Sequence, residues 1–146
     1  MQNNIIKKQK NLYSKHVDYN KADTFSTYVT GSKIEQLVSD NMELNNKNNE
    51  DNPFFIFAGF QAPHTPLDSL IDYGYDCSTD EYAMVNEARQ QFCENMRMID
   101  DVIGDLVNYL KDNDLWDNTM IVFTSDNGGA GRSTQGSCNY PLRLVK

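Results

Sequence analysis

The sequence predicts an α/β fold, a parallel-sheet sandwich with flanking helices, and two short apolar runs separated by a long amphipathic segment carry that prediction. Phe54-Phe-Ile-Phe-Ala-Gly-Phe60 is a continuous aromatic and β-branched run bounded by Pro53 and by Gln61-Ala62-Pro63, and Thr119-Met-Ile-Val-Phe-Thr124 is a second. Neither alternates between apolar and polar residues, the pattern of strands buried on both faces within a sheet. Between them Met84, Ala88, Phe92, Met96, Ile99, Ile103, Leu106 and Leu110 recur at steps of three or four, so 81–112 is expected as a helix with one face on that sheet. Strands joined by a helical crossover pair in parallel, and in such sheets ligands bind beyond the carboxyl ends of the strands.

The remaining elements follow in chain order. Residues 1–24 are Asn- and Lys-rich with little periodicity and read as a polar, poorly ordered lead-in, which hints at truncation. Residues 25–146 form the expected domain, since 146 residues suffice for one sizeable core and are too few for two. From Thr27 to Met42 the positions Val29, Ile34, Leu37 and Val38 fall near helical spacing, and the polar stretch Asn45 to Asn52 reads as a surface loop. Asn113 to Asn118 has turn chemistry.

The net charge of −8 and the lack of a basic cluster beyond Lys7, Lys8 and Lys10 argue against a nucleic-acid or anionic-membrane partner. No run reaches the roughly 18 apolar residues of a membrane span, and the N-terminal residues lack the apolar centre of a signal peptide. Cys77, Cys93 and Cys138 are too widely spaced for a C-x-x-C motif, and an odd count leaves at least one without an intrachain partner. Their pairing, and the compartment, stay open.

Two polar clusters sit at the ends of the apolar runs. Ser125-Asp126-Asn127-Gly128-Gly129 offers a carboxylate and an amide carbonyl, two hard oxygen ligands suited to calcium or magnesium, on a turn that two glycines can bend sharply. The same residues also suit a plain tight turn. In Gln61-Ala62-Pro63-His64-Thr65-Pro66 the prolines stiffen the backbone and aim His64 outward, where an imidazole can bind an anion or donate a proton; otherwise it is an idle surface histidine. A third segment, Asn139-Tyr-Pro-Leu-Arg143-Leu-Val-Lys146, places Arg143 and Lys146 just beyond the proposed metal turn.

In this order, a strand, Q-x-x-H-x-P-L, a long helix with Ile99-Asp-Asp-Val-Ile-Gly104, Leu115-Trp-Asp-Asn-Thr119, a strand, Thr124-Ser-Asp-Asn-Gly-Gly129 and N-Y-P-L-R-x-x-K resemble the sulfatase family, closest to its arylsulfatase B-like branch, from about Tyr28 to Lys146. The resemblance implies an alkaline-phosphatase-like α/β fold and sulfate-ester hydrolysis with calcium and a cysteine-derived formylglycine. It makes Asp126 and Asn127 two of the calcium ligands. It makes His64 and Lys146 contacts of the sulfate, with His64 helping to protonate the departing alcohol. The implied partner is a sulfate ester, sulfated sugars included, and the implied location is lysosomal or secreted, although the chain has no N-x-[ST] sequon.

The family's nucleophile motif, C-x-[PA]-x-R, is not met. Cys77 is followed by Ser78-Thr-Asp80, Cys93 has Arg97 at the right spacing without the proline, and Cys138 has Pro141 and Arg143 each displaced by one. Each cysteine then reads as a small buried or idle side chain. Asp100-Asp101 lies inside the long helix and reads as capping or surface solvation, not as the family's early metal pair. Leu144 stands where the family pattern has glycine. The chain is therefore expected to be a sulfatase fragment inactive alone, with a non-catalytic pseudoenzyme or interaction module and a phosphoesterase of the same superfamily as alternatives. The latter usually has histidine in the metal turn, where this chain has Asn127.

Overall fold

A computed structural model describes residues 25–79, 86–129 and 136–139. Two α-helices organise them: α1 (Ser26–Asn48) and α2 (Glu87–Asp112), with 3-10 turns at Ile71–Tyr73 and Trp116–Asn118. Among the described residues no strand forms, which overturns the expected parallel-sheet sandwich. The physical reason is visible in the two apolar runs. A strand buried on both faces needs a hydrogen-bonded neighbour and a covering layer on each side. Here Phe55, Phe57, Met120 and Val122 are 82%, 86%, 87% and 74% exposed, so neither run has a ladder to join or a layer above it.

The first helix runs six residues beyond the end of its apolar periodicity, through part of the Asn-rich stretch read as loop. Asparagine both continues and stops it. Asn49 takes the left-handed conformation (φ 52°) and its N–H closes on Asn45 O, a conformation asparagine tolerates better than most residues. The Asn45 side chain then grips Asn52, donating to its carbonyl at 3.0 Å and accepting from its N–H at 3.1 Å.

The second helix begins where its cap allows. Asn86 is extended (φ −168°) and its side chain accepts the Arg89 N–H at 2.9 Å, satisfying one orphan donor of the first turn. Met84, counted in the helical periodicity, lies outside the described residues. The buried face is Glu94, Asn95, Met98, Ile99, Val102 and Leu110, whereas Phe92, Met96, Ile103 and Leu106 are only half-buried. At the far end Asp114 (φ 57°) reverses the chain, the Leu115 N–H returns to Leu110 O, and Lys111 lies over the Trp116 ring at 5.3 Å.

The two helices pack on each other, and Gly31 sets how closely. A Cβ at position 31 would collide with Val102 Cγ1, so the absent side chain lets α1 settle onto a β-branched residue that is only 6% exposed. Beside this crossing Leu70, Tyr75 and Met98 form a buried cluster, against which Phe25, Tyr28 and Ala62 pack. Burying one such apolar side chain contributes roughly 1.5–3 kcal/mol, so this cluster rather than helix propensity holds the intervening loop. Tyr28 and Tyr75 share a hydroxyl hydrogen bond of 2.7 Å. Burial, followed by hydrogen bonds to Tyr28 and Asp101, pushes the Tyr75 phenol well above its ordinary value. No helix of the described residues is long and apolar enough to cross a membrane.

The Gly31–Val102 approach gives opposing expectations for Gly31→Ala. Helix propensity alone predicts a gain of about 1 kcal/mol, whereas overpacking a filled crossing costs about 1–3 kcal/mol. Because Val102 is stiff and buried, the collision should dominate, and urea titration followed by circular dichroism should show a net loss of about 1 kcal/mol. A stabilised variant would mean that the helices do not meet there.

Candidate functional site

Both polar turns singled out from the sequence are turns or bends in the structure, and each is fastened to α2 by side chains that hydrophobic periodicity does not reveal. In the first, the His64 N–H closes on Gln61 O at 2.9 Å, which folds 61–64 back on itself. His64 itself is exposed, and its Nδ1 donates to Thr65 O at 2.6 Å. That bond leaves Nε2 as the nitrogen directed away from the backbone contact, the one able to hold or give a proton.

Two residues before His64, Ala62 packs on the Leu70–Tyr75–Met98 cluster. Beyond it, Glu94 and Asn95 take hold of the chain. Glu94 is 1% exposed, and its Oε2 receives the Leu70 N–H at 2.8 Å and the Ser69 hydroxyl at 3.4 Å. The Asn95 amide donates to Asp68 O at 3.0 Å and to Gln91 O in its own helix at 2.8 Å. A buried carboxyl group is costly unless hydrogen-bonded, so Glu94 and the buried Leu70 N–H answer each other's need.

Just before Glu94, and one turn after it, the same helix secures the next stretch. Cys93 is disulfide-bonded to Cys77, and Arg97 Nη1 donates to Asp76 O at 2.9 Å. Cys77 is fully buried, in keeping with one of the two readings its sequence left open, and the bond gives both cysteines a structural task that leaves Cys93, the cysteine with arginine at motif spacing, no free thiol for conversion to an aldehyde. Cys138 is free and exposed. Asp76, in turn, caps the Ser78 N–H at 2.7 Å, and that hydrogen bond holds its carboxyl below the usual carboxylate range.

The second turn carries Asp126 and Asn127, both exposed, on a bend closed by the Ser125 hydroxyl donating to Asn127 O at 2.5 Å. Behind the bend, Asn139 holds the backbone of Gly129 from both sides. Its Oδ1 accepts the Gly129 N–H at 2.8 Å and its Nδ2 donates to Gly129 O at 2.7 Å. The two glycines are needed for this approach: a Cβ on Gly128 would stand 3.0 Å from Asn139 Oδ1, and one on Gly129 would collide with Ser137. The 136–139 segment is anchored to α2 in its turn. Gly136 (φ +66°) lies so close to Ala88 O that no side chain fits, and Arg89 Nη1 donates to its carbonyl at 2.7 Å.

Asp126 and Asn127 present oxygen donors of the kind calcium takes, and they supply two of the six to eight it requires. Among the described residues no group of three or more His, Cys, Asp or Glu side chains gathers as a metal site. In donor chemistry the turn fits calcium, though two oxygen-bearing side chains fall short of a full ligand set. Lys146 and Arg143 lie outside the described residues. Asp100 and Asp101 are exposed on α2, where they line an open cleft of about 420 Å³ with Tyr28, Tyr75, Gly104, Asp105 and Asn108. The exposure of Asp100 and Asp101 accords with the reading of surface solvation, and Asp101 is near enough to the Tyr75 phenol to add to its upward shift.

Residues 3–143 match the family model Sulfatase, a match that begins within the polar lead-in. The chain is 26% identical over 123 residues to arylsulfatase J of Mus musculus, covering 84% of this chain and 18% of that protein. It is 32% identical over 96 residues to N-acetylgalactosamine-6-sulfatase of Homo sapiens, covering 64% of this chain and 16% of that protein. It is 30% identical over 78 residues to the uncharacterized sulfatase YdeN of Escherichia coli, covering 53% of this chain and 13% of that protein. The chain thus spans less than a fifth of the length of these relatives, and no solved structure matches it.

The Glu94 contact predicts a graded pair of variants. Glu94→Gln keeps a carbonyl acceptor for the Leu70 N–H, whereas Glu94→Ala strands that buried donor at a cost of about 1–3 kcal/mol. Thermal unfolding should rank them in that order, with the glutamine variant nearer the parent. Equal losses would show that the Leu70 bond does not fasten the loop.

Proposed function

The chain belongs to the sulfatase family of sulfuric ester hydrolases, and from that premise we propose that it supplies part of a calcium and sulfate site, with Asp126 and Asn127 as metal ligands and His64 and Lys146 as sulfate contacts. What supports this reading above all is the bend at 125–129, which presents a carboxylate and an amide side by side on a backbone held from behind by Asn139. A divalent cation bound there would withdraw charge from the ester oxygens.

The chain's own residues provide the rest. His64, exposed and oriented by its Nδ1 bond to Thr65 O, offers Nε2 to an ester oxygen and donates the proton that a departing alcohol needs. The Lys146 ammonium is a compact charge suited to sulfate oxygens, and it concentrates positive charge in a chain whose net charge is −8. The nucleophile does not come from these residues. Cys77 and Cys93 are tied to each other, and Cys138 lacks the C-x-[PA]-x-R context, so no step through a formylglycine is assigned here. The chain alone is therefore inactive as a sulfatase. The natural substrate class is a sulfate ester, and the name of the human relative, N-acetylgalactosamine-6-sulfatase, favours a sulfated sugar.

Titration calorimetry with calcium on the chain and on Asp126→Ala tests the metal assignment. With a partial ligand set the parent should bind weakly, on the order of 10⁻³ M, and the variant should give no heat beyond dilution. Identical isotherms would remove Asp126 from the metal site. Hydrolysis of a chromogenic sulfate ester by the chain alone would contradict the inactive reading.

A further inference from the structure

We propose that Asn139 is a positioning residue for the Asp126–Asn127 turn, coupling it through the 136–139 segment to the first turns of α2; this rests on the metal-site reading above. Three observations carry it. Asn139 accepts from the N–H of Gly129 and donates to its carbonyl, at 2.8 and 2.7 Å, which ties down the peptide groups on both sides of the Gly129 Cα, three residues from Asp126. The backbone there can come within reach because residues 128 and 129 have no Cβ to hold Asn139 and Ser137 away. The clasp would be of little use on a loose segment, but Gly136 is buried, seated against Ala88 and bonded to Arg89 Nη1 at 2.7 Å.

The chain of contacts therefore runs from a capped helix start, through Arg89 and Gly136, to Asn139 and on to the peptide behind the two oxygen donors. Its physical effect is on entropy. An exposed bend with two glycines samples many conformations, and a ligand set that must be ordered on binding loses affinity to that ordering. Asn139 holds the bend in advance, so the cost of arranging Asp126 and Asn127 is met in the free protein. A shorter side chain cannot reach both the N–H and the carbonyl of Gly129. Asn139 touches neither the cation nor the ester in this role; it acts through the backbone that carries the ligands.

The test compares Asn139→Ala with the parent and with Asp126→Ala in the full chain, by three readouts. Hydrogen exchange at the Gly129 amide reports the clasp itself, and the alanine variant should speed it about fivefold, the effect of losing one net hydrogen bond. Calorimetry with calcium chloride should show affinity reduced about tenfold, as for loss of groups that orient metal ligands. The thermal midpoint by far-ultraviolet circular dichroism should stay that of the parent, which separates positioning from general destabilisation. Asn139→Ser, polar but too short to span both groups, replaces the alanine variant if that one does not fold. Unchanged exchange at Gly129 would overturn the clasp. Faster exchange with unchanged calcium affinity, while Asp126→Ala abolishes binding, would overturn positioning and leave the metal site standing. Calcium heats that ignore Asp126→Ala would show instead that the metal-site reading had failed and would take the positioning role with it.

Discussion

The bond from the Leu70 N–H to the buried Glu94 carboxyl, at 2.8 Å, is the contact on which the placement of the His64 loop depends. A carboxyl group shielded from water in the middle of an amphipathic helix is unfavourable unless its lone pairs are answered, and the loop backbone likewise has donors to satisfy. Each solves the other's problem, so the loop following His64 has one low-energy docking on α2. Asn95 adds a second fastening at Asp68 O, and Ala62 an apolar one at the Leu70–Tyr75–Met98 cluster.

The same helix repeats this logic along its length. Arg89, Cys93 and Arg97 recur at steps of four and therefore share a face. They bind Gly136, Cys77 and Asp76 respectively, by hydrogen bond, disulfide and hydrogen bond. Thus α2 both packs on α1 through Val102 and serves as the rail to which loops from either side in sequence are attached. The turn with Asp126 reaches that rail at Arg89, the loop with His64 at Glu94 and Asn95. This shared support is what the family resemblance alone does not supply, because motif order says which residues matter and not what keeps them in place.

The helices were legible because periodicity is a local property. Ile34 and Val38 in α1, and Ile99 and Leu110 in α2, were marked by spacing and are buried. The sheet was not borne out, for a reason equally physical: an apolar run such as Phe54 to Phe60 states that it avoids water, but a strand exists only with a neighbour to bond, and that is a long-range fact. Polar fastenings escaped the reading because Glu94, Asn95 and Arg89 look like ordinary helix-surface residues until their partners are known. One signal was available: the four-residue recurrence of Arg89, Cys93 and Arg97 on a helix whose apolar stripe runs elsewhere. In the sequence Asn139 is one position of a motif with no evident task of its own, and the structure shows it clasping Gly129.

Whether the two loops serve one site is tested most directly with manganese(II), which accepts the same oxygen ligands as calcium and broadens the nuclear resonances of nearby residues. Substoichiometric manganese added to the isotopically labelled chain should broaden Asp126 and Asn127 and, with them, the imidazole signals of His64. Broadening confined to Asp126 and Asn127, with the His64 ring unaffected, would contradict a shared site.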